Sequence, residues 1–232
     1  MILDLSYFDA LALAFFAASW LSYHYLIEVS PRHGGGLNSL MDTYRLRWME
    51  NMREREIRIV DTQIMGSLQN GTAFFASTSL LAIGGAATLM RATDDVLQVF
   101  RDLPFGLSAT RSLWEFKAAG LVLIFGYAFF KFAWSYRLFN YSAILLGATP
   151  PFDSPDKEER IRIALKVSQM CTVAGRHFNR GQRAFFFAFA YLGWFIGPMI
   201  FGFMTAFVLL VMWLRQFHSD ALAAVIKDQI ED

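Results

Sequence analysis

The chain has 232 residues, is 55% hydrophobic and carries a formal net charge of +1. A soluble domain of this length is more charged than that, and a near-neutral chain has no global field with which to recruit nucleic acid. The single cysteine, Cys171, excludes an internal disulfide framework.

The first nine residues hold Asp4 and Asp9 and no Lys or Arg, so a cleavable signal peptide is not expected. "FDALALAFFAASWLSYHYLIE", residues 8–28, is then the first predicted span, because crossing a bilayer takes about 20 mostly apolar residues. "HGGG" at 33–36 reads as a hinge. From Asn38, "NSLMDTYRLRWMENMREREIRIVDTQIM" lacks Gly and Pro, and Leu40, Met41, Tyr44, Trp48 and Met52 recur at helical spacing. With a favourable Glu54–Arg58 pair four residues apart, 38–66 reads as one amphipathic helix running straight into the second span.

That second span, "SLQNGTAFFASTSLLAIGGAATLM" at 67–90, is uncharged yet rich in small and polar residues. At 100° per residue, Ser67, Asn70, Gly71, Ser77, Thr78, Gly84, Gly85 and Thr88 share one side, where only Phe74 and Leu81 are large. Leu68, Phe75, Leu80 and Ile83 lie opposite. A small stripe lets helices approach closely in lipid. Hydroxyls and an amide along the same line also suit a water-exposed lining, with large apolar side chains at intervals as constrictions. The candidate pore-lining set is therefore Asn70, Phe74, Ser77, Thr78, Leu81 and Thr88. One helix cannot enclose a pore, so this reading requires a symmetric homo-oligomer.

The loop at 91–112 is short, with a turn or two expected around "DDVLQVF". The third span, 113–136, is interrupted by Lys131, which either snorkels to headgroups or lines an anion pathway. Its helix continues past Arg137 to Pro150. Ser154 reads as the next N-cap with Pro155 at the first helical position, and Ile161, Leu165, Ser168 and Thr172 mark one face, with Ala164, Val167 and Cys171 beside it. Arg176, Arg180 and Arg183 then share a helix face at i, i+4 and i+7. Such a cluster binds anionic lipid headgroups or another anion, or pairs with acids from another helix. The fourth span, 184–214, is about 31 residues, so it must tilt, project or kink at Gly197-Pro198.

The loops at 30–66 and 147–183 hold most of the Lys and Arg. The positive-inside bias puts both in the cytoplasm and both termini in the periplasm, with a cytoplasmic helical layer from 38–66 and 137–183. "RWMENMREREIRIVDTQIMGSLQNGTAFFASTSLLAIGG" and "AGRHFNRGQRAFFFAFAYLGWF" resemble an uncharacterised membrane-protein family, a domain of unknown function. The resemblance covers roughly residues 10–215. It implies bacterial membership with distant plant relatives, four spans and an integral membrane location, here the bacterial inner membrane. It implies no activity and no catalytic residue.

No HExxH, phosphate loop, G-x-S-x-G or CxxC pair occurs. His24 and His177 could meet across the bundle, which keeps haem as an option, but no pair has ligand spacing on one helix and no cofactor or metal site is expected. The sequence thus predicts an all-α, four-span membrane protein forming one domain over 1–232, assembled as a homo-oligomer among anionic lipids. Its function reads as a channel-like assembly for which anions are the candidate species. The alternatives are a non-conducting scaffold or accessory subunit, and a haem or lipid-linked enzyme.

Overall fold

The computed structural model describes residues 5–28, 36–94 and 110–227. Its helices are α1 (Tyr7–Glu28), α2 (Leu37–Arg53), α3 (Ile59–Arg91), α4 (Arg111–Gly147), α5 (Lys157–Ile196), α6 (Pro198–Phe217) and α7 (Asp220–Lys227), and no strand occurs among the described residues. The all-α expectation therefore holds. Among the described residues, four stretches are long and apolar enough to cross a membrane: Tyr7–Glu28, Ile59–Arg91, Arg111–Gly147 and Pro198–Ile226.

The 40-residue α5 is the axis of the bundle. α4 runs antiparallel along it: Lys117 bonds the Trp194 carbonyl at one end, and Ser135 Oγ donates to the Ala174 carbonyl (2.8 Å) further down. α3 runs antiparallel to α4, tied by Trp114 Nε1 to the Leu89 carbonyl and by Gln69 Nε2 to Asn140 Oδ1 (2.8 Å). α1 is antiparallel to α5, with Asp9 beside Trp194 and Glu28 beside Arg180. Tyr7, Arg91, Arg111 and Ile196 thus mark an upper end of the bundle. Below the level of Glu28, α2 descends along α5 and α3 climbs back, so the lower third is built from α2, α3, α4 and α5.

Two cores follow this division. The upper one is aromatic: Phe16, Phe187, Tyr191, Trp194 and Phe201 are buried together, Trp194 and Phe201 stacking at 5.4 Å and Phe16 meeting Phe187 edge-on at 5.5 Å. The lower one packs Met49, Met52 and Met65 against Phe139, Val167 and Cys171. It buries Ala164, Val167, Ser168 and Cys171 of α5, while Ile161 and Leu165 stay exposed, so the buried face is rotated from the expected one.

The expected fourth span, 184–214, is divided. α5 ends at Ile196 and α6 starts at Pro198, with Gly197 extended between them. Proline disfavours the helical region for the residue before it and is well suited to a helix's first position, so one residue ends α5 and starts α6. α6 then folds back down α5. A Cβ at Gly193 would lie 3.2 Å from the Ile200 carbonyl oxygen, which is the close approach this reversal needs. α6 runs parallel to α1, Tyr23 donating to the Met212 carbonyl (3.2 Å), and Gln216 lies against Gly36 at the lower level. Tyr7 and Phe217 therefore lie at opposite ends of the bundle.

The helix expected over 38–66 is also interrupted. α2 ends at Arg53 and α3 begins at Ile59. The reversal is held by fully buried Asp61, whose Oδ1 accepts from Trp48 Nε1 (2.7 Å) and Arg55 Nη1 (2.5 Å). Arg58 does not pair with Glu54; it donates to the Thr149 and Pro150 carbonyls across the α4 end. The α5 cap is Asp156, which accepts from the Glu159 N–H, with Ser154 two residues upstream accepting from the Asp156 N–H. The turn expected around "DDVLQVF" lies outside the described residues from position 95 on, as do three residues of "HGGG".

Candidate functional site

The stripe on α3 points away from the protein's own helices. Phe74 is 65% and Leu81 77% exposed; Asn70, Ser77 and Thr88 are exposed and Thr78 is half-buried. A Cβ added at Gly71, Gly84 or Gly85 would meet nothing within 4 Å. The face turned inward is the one carrying Thr72, Ser79 and Ala86, with Phe75 stacked on Phe132 at 5.3 Å. Among the described residues, the small residues are therefore not a packing seam within one chain. Several hydroxyls are already satisfied locally: Thr78 Oγ1 donates to the Phe74 carbonyl (2.9 Å) and Thr88 Oγ1 to that of Gly84 (3.0 Å).

The arginines at the foot of α5's upper half are brought together with acids that the sequence left distant. Arg180 and Arg183 both grip Glu28, the last residue of α1, and Arg180 Nε lies 3.0 and 2.9 Å from its two oxygens. Glu28 and Arg183 keep only 12% and 10% of their side-chain surface exposed. Arg176 reaches Asp42 of α2 (3.1 Å), which also pairs with Arg45 (2.5 Å). His24 Nδ1 lies 3.4 Å from Glu28, and His177 lies near the same cluster with a buried Nδ1 that has no hydrogen-bond partner among the described residues. Lys131 lies over the Tyr127 ring at 5.1 Å, on the α4 side of this cluster. All four expected cationic residues thus converge on one junction of α1, α2, α4 and α5. Three of them pair with acids of this chain. Among the described residues no group of three His, Cys, Asp or Glu side chains is placed to hold a metal.

A second polar cluster was not read from the sequence. At the upper end, Asp9 and Lys117 are only 6% and 5% exposed. Asp9 accepts from Trp194 Nε1 (2.6 Å) and from Ser6, and Lys117 Nζ donates to the Trp194 carbonyl (2.7 Å). The carbonyl of residue 194 would ordinarily accept from the N–H of residue 198, and Pro198 has none. Lys117 supplies that missing donor, and Asp9 balances its charge through the same tryptophan. The signal available in sequence was an acid at the start of the first apolar span and a base near the start of the third, each costly unless compensated.

Cys171 is fully buried in the lower core, and burial pushes its thiol pKa up. No curated protein and no solved structure matches the chain. A family described as a protein of unknown function, DUF599, matches residues 11–221. Four long apolar helices in an all-helical bundle make this a multi-pass membrane protein, and with the match covering most of its length, the chain belongs to the DUF599 family.

Proposed function

We propose that the protein is a homo-oligomeric, channel-like assembly of the bacterial inner membrane, with the outward stripe of α3 turned toward a symmetry axis. The observation that carries this reading is the exposure of that stripe. Facing lipid, the Asn70 amide and Ser77 hydroxyl would sit where no water can bond them, and an unbonded amide in hydrocarbon costs roughly 4–8 kcal/mol. Facing other copies, they meet water or one another, and Phe74 and Leu81 become two apolar rings seven residues apart. The aromatic core leaves the stripe, rather than the interior of one chain, as the surface available for a path. The cationic junction around Arg180 makes anions the candidate species.

Crossings by α1, α3, α4, the upper half of α5 and α6 fit the same picture. α5 is less apolar than the other four, but it is the most enclosed helix, and its lipid exposure is limited by them. This topology puts Arg215 on the same side as the arginine-rich loops, which sharpens the positive-inside asymmetry and makes the lower end cytoplasmic.

The second reading, a non-conducting scaffold, is favoured by the back-bonded Thr78 and Thr88, which leave a drier, glycine-lined seam suited to close helix packing. Liposome flux separates the two. On the channel reading, Phe74→Ala and Leu81→Ser raise anion leak while the oligomer stays intact. On the scaffold reading neither leaks, and Gly84→Leu dissociates the assembly. An intact wild-type monomer in mild detergent and in bilayers overturns the channel reading and favours an accessory subunit that packs against other proteins.

A further inference from the structure

Two cavities of opposite character meet at the lower junction. The first is a polar cleft of about 90 Å³ where the end of α1 and the start of α2 face α5, lined by Glu28, Asn38, Asp42, Arg176, Asn179 and Arg183. The guanidinium groups of Arg45, Arg176, Arg180 and Arg183 outnumber the carboxylates of Glu28 and Asp42 that they contact, so the cleft keeps a positive surplus. The second is an apolar groove of about 300 Å³ among α2, α3, α4 and α5, with walls formed by Met41, Leu68, Gly71, Phe139 and Phe178.

The two share a wall. Asn38 and Asn179 line both, and Asn179 Nδ2 donates to Asn38 Oδ1 (3.2 Å) between them. Arg45 links them as well. It bonds Asp42 on the polar side and lines the groove on the apolar side, where it lies flat on Gly175. A Cβ at Gly175 would come within 2.7 Å of Arg45 Nη2, so the absence of a side chain there is what seats this arginine.

We propose that this junction binds an anionic amphiphile: a phosphate-bearing headgroup in the arginine cleft and an acyl tail in the adjoining groove. A free anion would use the cleft and leave the groove empty. A neutral lipid would use the groove and gain nothing from the surplus of guanidinium groups, which form short, charge-assisted hydrogen bonds to phosphate oxygens. The bound molecule would clamp α2 to the membrane-embedded part of α3 and α5. Gly71 belongs to both the groove and the outward stripe of α3, but Arg176 and Leu68, the two positions tested below, lie off that stripe, so the two readings fail separately.

The test uses the full chain in detergent, titrated with dioctanoyl phosphatidylglycerol, dioctanoyl phosphatidylcholine and inorganic phosphate, with binding read by native mass spectrometry and by ligand-induced thermal shift. Phosphatidylglycerol is expected to bind at least tenfold more tightly than either of the others. Arg176→Gln, at a half-exposed position, is expected to weaken phosphatidylglycerol about tenfold, the loss of one charged contact. Leu68→Trp, which fills the groove, is expected to weaken phosphatidylglycerol by a similar factor and to leave inorganic phosphate unchanged. Equal binding of the two lipids overturns the proposal, as does full wild-type affinity in both variants. Full competition by inorganic phosphate, together with an unaffected Leu68→Trp variant, assigns the cleft to a free anion and overturns it too.

Discussion

Lys117 shows how one side chain serves a distant backbone. It sits on α4, yet the carbonyl it bonds belongs to the last turn of α5, and the reason that carbonyl needs a donor is a proline at the start of α6. Removing the cation leaves the carbonyl without its donor and takes away the positive charge nearest buried Asp9, which keeps its hydrogen bonds from Ser6 and Trp194. Lys117→Met is therefore expected to cost about 1–3 kcal/mol, the range for leaving a buried acceptor unsatisfied. The double variant Asp9→Asn with Lys117→Met should be less destabilised than the single one, since the orphaned charge is gone. Thermal unfolding of the three variants in one detergent checks this, and an additive double variant refutes the coupling. Cys171 gives a second residue-scale expectation. Buried and held mostly as the neutral thiol, it should resist maleimide in the folded protein at neutral pH and react fully after denaturation. Labelling of the native protein at the denatured rate would contradict its placement in the lower core.

At the scale of elements, the hydrophobic periods were legible and the reversals were not. The spans at 8–28, 67–90 and 113–136 fall within α1, α3 and α4, because an uninterrupted apolar run long enough for a bilayer has few other solutions. The stretch at 184–214 was equally apolar, and its length could be absorbed by tilt, projection or a kink. Only tertiary contacts, Trp194 on Phe201 and Gly193 on the α6 backbone, select a full reversal. The break between α2 and α3 had no Gly or Pro to announce it, since a buried aspartate joined to Trp48 and Arg55 makes it. The arginine face was legible from its spacing, but Glu28 and Asp42 lie more than a hundred residues away in sequence, beyond any local pattern. Asp9 and Lys117 escaped for the same reason. The hairpin makes a direct prediction. In the otherwise native chain, cysteines at Glu50 and Asp220 should be labelled from the same side of the membrane, and one at Arg91 from the other. Accessibility of 220 together with 91 would restore the single long crossing and refute α6 as a returning helix.

For the molecule as a whole, the bundle has two chemistries stacked along one axis: an aromatic upper core among helices flanked by apolar surface, and a methionine-rich lower core bounded by ion pairs. The lower part is no mere set of loops, since α3, α4 and α5 pass through both parts without a break. Any tilt of these helices above is thus carried rigidly below. On the proposed five-crossing topology, α5 also constrains how the protein is made. Its upper half carries Arg180 and Arg183, so it enters lipid poorly by itself, and its partner Glu28 is already in place when it emerges from the ribosome. Insertion would then proceed as a pair, α5 being pulled in by the more apolar α6 that follows it. The extended residue at 197 is the pivot of that step, and a chain that failed to fold back there would be left with its last helix facing the wrong compartment.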